Sequence, residues 1–584
     1  MSEVDPVLVG LISNRMFSLL EEQQTALVTT AFSPVVRESM DLACAVFDSR
    51  GEMMAQSTGG TPGHINAMAT GMHHIVARHP ADQLAEGDVL ITNDPWMTAG
   101  QINDLTVATP IFHRGNLVAW FASCCHSPDI GGRILSASAS EVYEEGLRLP
   151  IVKLRTADGP NEVLEEIIRV NVRTPDETMG DIYAQVSANE VGGRGLVALL
   201  EEYRLDSIDP IAEQIMDRSE KALRRRLSEL PDGTWTASMT SDGFGDETLH
   251  LAVAVTIAGD EITVDYDGSS EQSAYGINVV LNYTRAYTSF AIKAALAPEV
   301  PHNAGSFRPA TITAPAGSVL NCLDPAPVAS RHLVGHFLPS LLFDALRQPL
   351  GGALPAASSD ALWMTVWRGE NGDDDGRFTL TVFGAGGTGG RPTKDGLTTT
   401  GFPTGVRAAP TEVLETLTPL VQTRRELRPD SGGAGEHRGG LGQVVEVRRR
   451  GHAQWSVNAN IDRVNNPAIG TGGGLPGAKG WFTEVGSTDP LPRKQLLRLR
   501  PDSHVSLGFP GGAGWGDPHH RDPGEVFADV IAEKVSPESA REHYGVVVEW
   551  TGDPSARVRH PDQWRLDEEA TARVRAASRA TPGD

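Results

Sequence analysis

LTVATPIFHRGNLVAWFASCC, residues 105–125, decides how the N-terminal part of this chain folds. Two runs of β-branched and aromatic residues, 105–112 and 117–125, flank the polar segment His113-Arg114-Gly115-Asn116, which is the pattern of a β-hairpin. With the turn centred between Arg114 and Gly115, opposed residue numbers sum to about 229, so Asp104 lies across from position 125, next to His126. A slip of one residue would still bring Asp104 and His126 together at the open end of the hairpin, with Gln101 just before it. Side chains able to hold a metal ion therefore converge there.

The rest of the chain reads outward from this hairpin. Residues 5–31 carry Val7, Leu11, Ile12, Leu19 and Leu20 at the spacing of a long amphipathic helix. MDLACAVFD, SRGE and MMAQS predict a second hairpin from residue 40. A helix follows over about 64–79, then the strand DVLIT before Asn93-Asp94-Pro95. Residues 160–230 read as helical, 234–268 as alternating strands, and 279–297 as another helix. The expected fold is a multidomain mixed α/β (α+β) protein with mixed β-sheets and a long N-terminal helix. Its expected regions are an N-terminal α/β part with the candidate metal site (1–155), a helical segment (156–232), a central α/β part (233–430) and a Gly-rich β part with a helical tail (431–584).

At 584 residues the chain must build several cores, since one domain takes roughly 150 residues. A net charge of −25 disfavours nucleic acid and anionic bilayers as partners. No apolar run reaches the roughly 18 residues of a membrane span, and MSEVDPVLVGLISNRMF lacks the basic start and cleavage site of a signal peptide. The expectation is a cytoplasmic protein without membrane contact. Cys44, Cys124, Cys125 and Cys322 are too sparse for a disulfide framework and are expected to be reduced.

Glycine and proline, 62 and 38 residues, concentrate in the tracts 384–396, 470–480 and 508–525. G384-x-G386-x-x-G389 and G472-x-G474-x-x-G477 have dinucleotide-loop spacing, but Pro392 follows the first and Pro476 lies inside the second, where a helix would have to begin. Lys479 does not directly follow Gly477, so a phosphate loop fails too. The tracts read instead as turns between strands, and this chain carries no ATP site of its own. Cys124-Cys125 before His126 could supply a thiolate, although adjacent cysteines at a strand end are more often packing residues.

The remaining chemistry lies in Arg37-Glu38-x-x-Asp41, His64, Asn93-Asp94-Pro95, Gln101-x-x-Asp104 and His126-x-x-Asp129-x-Gly131-Gly132. Carboxylate and imidazole ligands without thiolate suit Zn, Mn or Fe, and an ion with an open position would activate water or polarise a carbonyl. The same residues also have ordinary uses: His64 as a residue at a helix N-terminus, Asp129 with Gly131-Gly132 as a turn.

RESMDLACAVFD, GHINAM, ITNDPW, INDLTVATPIF, CHSPDIGG, EVYEEGLRLP, NVRTPDETMGDIYAQVSAN, NAGSFRPATITAPAGSVLN, PDSGGAGEHRGGLG and GFPGGAGWGDPHHRDPGEVFADV occur in this order. Together they resemble the hydantoinase B/oxoprolinase family over nearly the whole chain. The resemblance implies the B-type subunit of an ATP-dependent cyclic-amide hydrolase of the 5-oxoprolinase, N-methylhydantoinase or caprolactam hydrolase kind, or of an acetone/acetophenone-type carboxylase. It also implies a hetero-oligomer in which a separate A-type subunit binds and hydrolyses ATP, and a lactam, hydantoin or ketone substrate. The family's divalent metal ligands carry over onto Asp104 and His126, with Asp41 a further member. A histidine is expected at position 101, where this chain has Gln101. An amide oxygen is a weaker ligand for a borderline ion such as Zn, so the preference shifts toward Mn, Mg or no ion, and the replacement bears on catalytic competence. A non-catalytic structural subunit is the alternative. His64 and Glu145 are the expected groups for proton transfer or substrate contact.

Overall fold

The computed structural model describes residues 5–360, 362–371, 376–556 and 559–580. The first helix, Pro6–Thr30, starts where Asp5 accepts a hydrogen bond from the Val7 amide at 2.9 Å and Pro6 supplies the preset φ of a first helical residue. It buries Val9, Ile12, Met16, Leu19, Leu20 and Leu27, while Val7 and Leu11 face solvent. The buried stripe is thus turned from the one the sequence suggested. The turn brings in Gln23, a buried polar residue whose amide donates to Asn189 Oδ1 at 2.8 Å and so belongs on the inner face.

The site-bearing sheet has seven antiparallel strands in the order Met53–Gln56, Leu42–Asp48, Asn116–His126, Asp104–His113, Val89–Thr92, Val152–Thr156, Gly159–Pro160. Arg114 and Gly115 both have positive φ (51° and 81°), the requirement of the tight turn whose twist matches two paired strands. Next to the turn His113 pairs with Asn116, as the sequence arithmetic has it. A β-bulge between Ile111 and Phe112 then advances the register by one, so that Asp104 stands directly opposite His126.

Both faces of the central strands are covered, which explains why their sequence is a continuous apolar run. Trp120, Ala122 and Cys124 pack with Ile65, Met68 and Met72 of the helix Pro62–Arg78. Phe121 and Ala119 pack on the opposite side with Leu20 and Leu196. The helix Pro175–Tyr203 lies so close to the sheet that a Cβ on Gly192 would come within 2.4 Å of the Phe121 ring. The flanking helices Glu162–Asn171 and Asp209–Ser228 complete the expected helical stretch.

Strands Gly233–Ser241, Leu249–Ala258, Glu261–Asp265 and Ala310–Thr313 form a mixed sheet whose last pair is parallel. The helices Leu281–Leu296 and Leu338–Leu346 pack together beside it. One apolar cluster runs through residues as far apart as Val89 and Leu354, so the site-bearing sheet and this mixed sheet share a core. Two four-stranded antiparallel sheets follow, with Trp363, Trp367, Phe482 and Phe509 in a common cluster.

The glycine tracts are not simple turns. They run as extended segments joined crosswise by backbone hydrogen bonds, among them Gly440 N to Thr388 O (2.8 Å), Gly512 N to Gly440 O (3.0 Å) and Gly433 N to Gly512 O (2.8 Å). A Cβ on Gly387 would sit 1.8 Å from Gly440 O, and one on Gly511 1.7 Å from Ser431 O. Backbone packed on backbone leaves no room for a side chain at these two positions. No helix among the described residues is long and apolar enough to cross a membrane.

Candidate active site

Asp104 opens its strand and His126 closes the neighbouring one. The Asp104 carboxylate and the His126 ring meet at 2.8 Å, between Oδ1 and Nδ1. Asp41, just before the strand Leu42–Asp48, accepts from the His126 amide through its backbone carbonyl at 3.1 Å. His64 stands in the first turn of the helix Pro62–Arg78, where its Nε2 lies 3.1 Å from Asp104 Oδ2 and its Nδ1 3.6 Å from Asp41 Oδ1. Four sequence-predicted residues therefore come together: Asp41, His64, Asp104 and His126. All are buried.

Gln101 is present as well, but its partners were not foreseen. Its amide nitrogen donates to Ala329 O at 2.9 Å, and its amide oxygen accepts from the Arg331 guanidinium. Arg331 also donates to Asp104 Oδ2 and, through Nε, to Ala99 O at 2.7 Å. Its guanidinium lies 4.1 Å from the centre of the Tyr283 ring, a cation–π contact. Arg331 is 3% exposed, so a full positive charge sits inside the cluster. In the sequence only the spacing Arg331-His332-x-x-x-His336 marks this segment, two imidazoles one helical turn apart with an arginine beside them.

Charge neighbours set the protonation of the group. Burial opposes ionisation of Asp104, but His64, Arg331 and the His126 hydrogen bond outweigh it and hold its carboxyl well below the usual range. Burial likewise opposes the charged form of His64, and Asp104 and Asp41 overcome it, so its pKa is raised. His332 is pushed down to about 3, first by burial and then by Arg331, and stays neutral. Both ring nitrogens of His332 and the Nε2 of His126 are buried without a hydrogen-bond partner among the described residues. Buried polar atoms of this kind are uncommon in folded proteins and suit a bound polar molecule.

Glu145 hydrogen-bonds to backbone rather than to the Asp104 carboxylate. Its Oε1 accepts from the amides of Val328 (2.5 Å) and Ala329 (2.8 Å), which fixes the segment leading to Arg331. Burial pushes its carboxyl up to about 8, against those two hydrogen bonds. Cys124 and Cys125 are free, buried and shifted well upward by burial, so neither is a ready thiolate. Asp129 makes the turn: it accepts from Gly131 N at 3.0 Å and pairs with Arg173 at 2.8 Å.

A divalent ion was expected on Asp41, Gln101, Asp104 and His126. As placed, these donors do not fit one. Asp104 Oδ1 is taken by His126, Oδ2 by His64 and Arg331, and the Gln101 oxygen by Arg331. Among the described residues no three His, Cys, Asp or Glu side chains are grouped to hold a metal ion.

The family model described as hydantoinase B/oxoprolinase matches residues 5–518. The caprolactamase subunit beta of Pseudomonas jessenii is 31% identical over 607 residues, covering 99% of this chain and 100% of that one. The crystal structure of the ATP-dependent caprolactamase from the same organism superposes with a TM-score of 0.88 at 27% identity, over 98% of this chain and 100% of that one. Nucleotide-free acetone carboxylase shares the fold, with a TM-score of 0.86 at 21% identity over 99% and 83% of the two chains.

Proposed function

Because the chain belongs to the hydantoinase B/oxoprolinase family, we propose that it is the B-type subunit of an ATP-dependent amidohydrolase that opens a lactam, hydantoin or 5-oxoproline-like ring. Under this proposal an A-type partner binds ATP and activates the ring carbonyl, and the bond is broken at the Asp104–His126 site. The observation that carries it is end-to-end similarity to a caprolactamase beta subunit.

The geometry supports a role for each residue. The Asp104 carboxylate accepts from His126 Nδ1–H, which fixes the tautomer and leaves the partnerless Nε2 as an acceptor. That nitrogen can take a proton from water as the water adds to an activated carbonyl, and return it to the departing amide nitrogen. The Asp104 charge stabilises the imidazolium formed in between. His64 and Arg331 hold the second carboxylate oxygen and keep Asp104 ionised. The cluster is closed to solvent, so substrate entry requires an element that covers it to move.

Co-expression with the A-type partner, followed by ATP turnover against a panel of lactams, hydantoins and ketones, tests the assignment. Stimulation by a cyclic amide with release of the ring-opened acid is expected. Turnover that needs a ketone and bicarbonate would move the chain to carboxylation, and no stimulation by any substrate would leave a structural subunit.

A further inference from the structure

In this chain the site's fixed positive charge is the Arg331 guanidinium, and we infer that it occupies the role a divalent ion was expected to fill. The inference rests on placing the chemistry at the Asp104–His126 site but not on which ring is opened. Three of the four expected ligands bear on it. Asp104 gives one carboxylate oxygen to Arg331, Gln101 gives its amide oxygen, and His126 is tied to the other oxygen of the same carboxylate.

The loop Ala99-Gly100-Gln101 is shaped to this guanidinium. The Ala99 carbonyl accepts from Nε, and the Gln101 oxygen accepts from a terminal nitrogen. Between them Gly100 has a φ of +79°, and a Cβ there would come within 3.0 Å of Arg331 Cδ. Tyr283 covers the guanidinium at 4.1 Å, and glycines lie on both sides of the tyrosine: a Cβ on Gly63 or Gly335 would approach its ring to 2.6 or 2.5 Å. Gln101 also explains itself in this setting. An arginine needs an acceptor and can never offer a lone pair, whereas the side-chain amide presents an oxygen to Arg331 and its NH2 to Ala329 O. An imidazole at 101 would have to use its one acceptor nitrogen on the guanidinium and could not then ligate an ion.

A guanidinium keeps its proton at any working pH, so it cannot leave the carboxylate free for an ion as a lysine or histidine could. A divalent ion placed on the same carboxylate would be within a few ångströms of it, and like charges at that range repel strongly in a buried setting. The ring nitrogens left without a hydrogen bond, His126 Nε2, His64 Nδ1 and both of His332, do not offset this, because among the described residues no three His, Cys, Asp or Glu side chains are grouped to hold an ion. The geometry closes on itself without an ion: Arg331 pairs with Asp104, and the His64 ring lies between the Asp104 and Asp41 carboxyls.

The test reads metal rather than turnover, because ATP brings its own magnesium to any activity assay. The full-length chain, alone and with its A-type partner, is equilibrated with Zn²⁺, Mn²⁺ or Co²⁺, desalted and assayed by elemental analysis, with the visible spectrum of Co²⁺ as a second readout. The wild type is expected to retain less than an equivalent, with the same content in Asp104→Ala. Gln101→His/Arg331→Met, which removes the charge and restores an imidazole, is expected to bind Co²⁺ at least about 100-fold more tightly. A wild-type equivalent of ion that is lost in Asp104→Ala overturns the inference, and this readout needs no foldable variant at position 331. A folded double variant that binds no better than wild type also overturns it, since the guanidinium would then not be what excludes the ion. A hydrolase that turns over normally and holds a metal at Asp104 would sink the guanidinium role while leaving the proposed function standing.

Discussion

Glu145→Gln should change how stability depends on pH, with a sign fixed by the environment of the carboxyl. Burial raises its pKa from 4.5 to about 8, against the amides of Ala329 and Val328 and the charge of Arg331. A carboxyl whose folded pKa is raised contributes stability that is fully present below its unfolded value and is lost as pH rises through the folded one. The window is therefore 4.5 to about 8. At about 1.36 kcal/mol per pKa unit, the difference between these values is worth roughly 5 kcal/mol. Glutamine keeps an oxygen for both amides and never ionises. Wild type and variant should thus have similar urea midpoints near pH 5, and the variant's midpoint should move progressively ahead as pH rises to 8.5, by an amount set by the m-value of this large chain. Tryptophan fluorescence across a series of urea titrations measures this. Buried histidines also titrate, but they are common to both proteins and cancel in the difference. A flat difference between pH 5 and 9, or a wild type that gains on the variant as pH rises, would refute the assigned environment.

Arg331→Ala leaves the Asp104 carboxylate buried without its guanidinium partner and should cost about 3–5 kcal/mol in a thermal or urea melt, with Arg331→Lys recovering only part because one ammonium cannot reach Ala99, Gln101 and Asp104 together. Gly100→Ala and Gly115→Ala both place a side chain at positive φ (+79° and +81°), but only at position 100 would the new methyl meet Arg331 and Val280. Gly115→Ala should lose about 1 kcal/mol and Gly100→Ala distinctly more, with turnover falling only in the latter. His332 is held neutral with a pKa near 3, so its contribution is present above the ordinary 6.5 and is lost as pH falls toward 3. His332→Gln should flatten that acid limb in the same titrations. His126→Ala in the complex should abolish ring opening while the partner still hydrolyses ATP, and parallel loss of both activities would contradict the division of labour.

Much of the site was legible because hairpin geometry is local. Two apolar runs and a Gly-containing turn fix which residues face each other, and Asp104 and His126 meet as the spacing implied, one register step away because of a bulge at Ile111 that alternation does not reveal. The long N-terminal helix was equally legible as an element, but its inner face was not. Gln23 is drawn inward by Asn189, which lies 166 residues away. The glycine tracts were misread as turns because composition shows flexibility and cannot show that the freedom is consumed by other segments at van der Waals contact. Arg331 escaped notice for a similar reason: its partners Ala99, Gln101 and Asp104 lie more than 200 residues earlier.

Gln101 and Arg331 are best understood as one feature. Considered alone, a glutamine where a histidine was expected is a damaged ligand, and a buried arginine is an expensive residue whose desolvation demands compensation. Together each removes the other's difficulty. The amide oxygen and the Asp104 carboxylate satisfy the guanidinium, the Tyr283 face covers it, and the guanidinium supplies the positive charge that a weakened metal site would lack. Exchanging either residue singly should therefore be worse than exchanging both. Gln101→His alone puts a ring against a fixed cation, and Arg331→Met alone leaves the Asp104 charge under-compensated. A double-mutant cycle on melting stability, with Zn²⁺ present throughout, should show the pair coupled by at least about 1 kcal/mol. Additive single effects within about 0.5 kcal/mol would mean that the two positions do not form a unit.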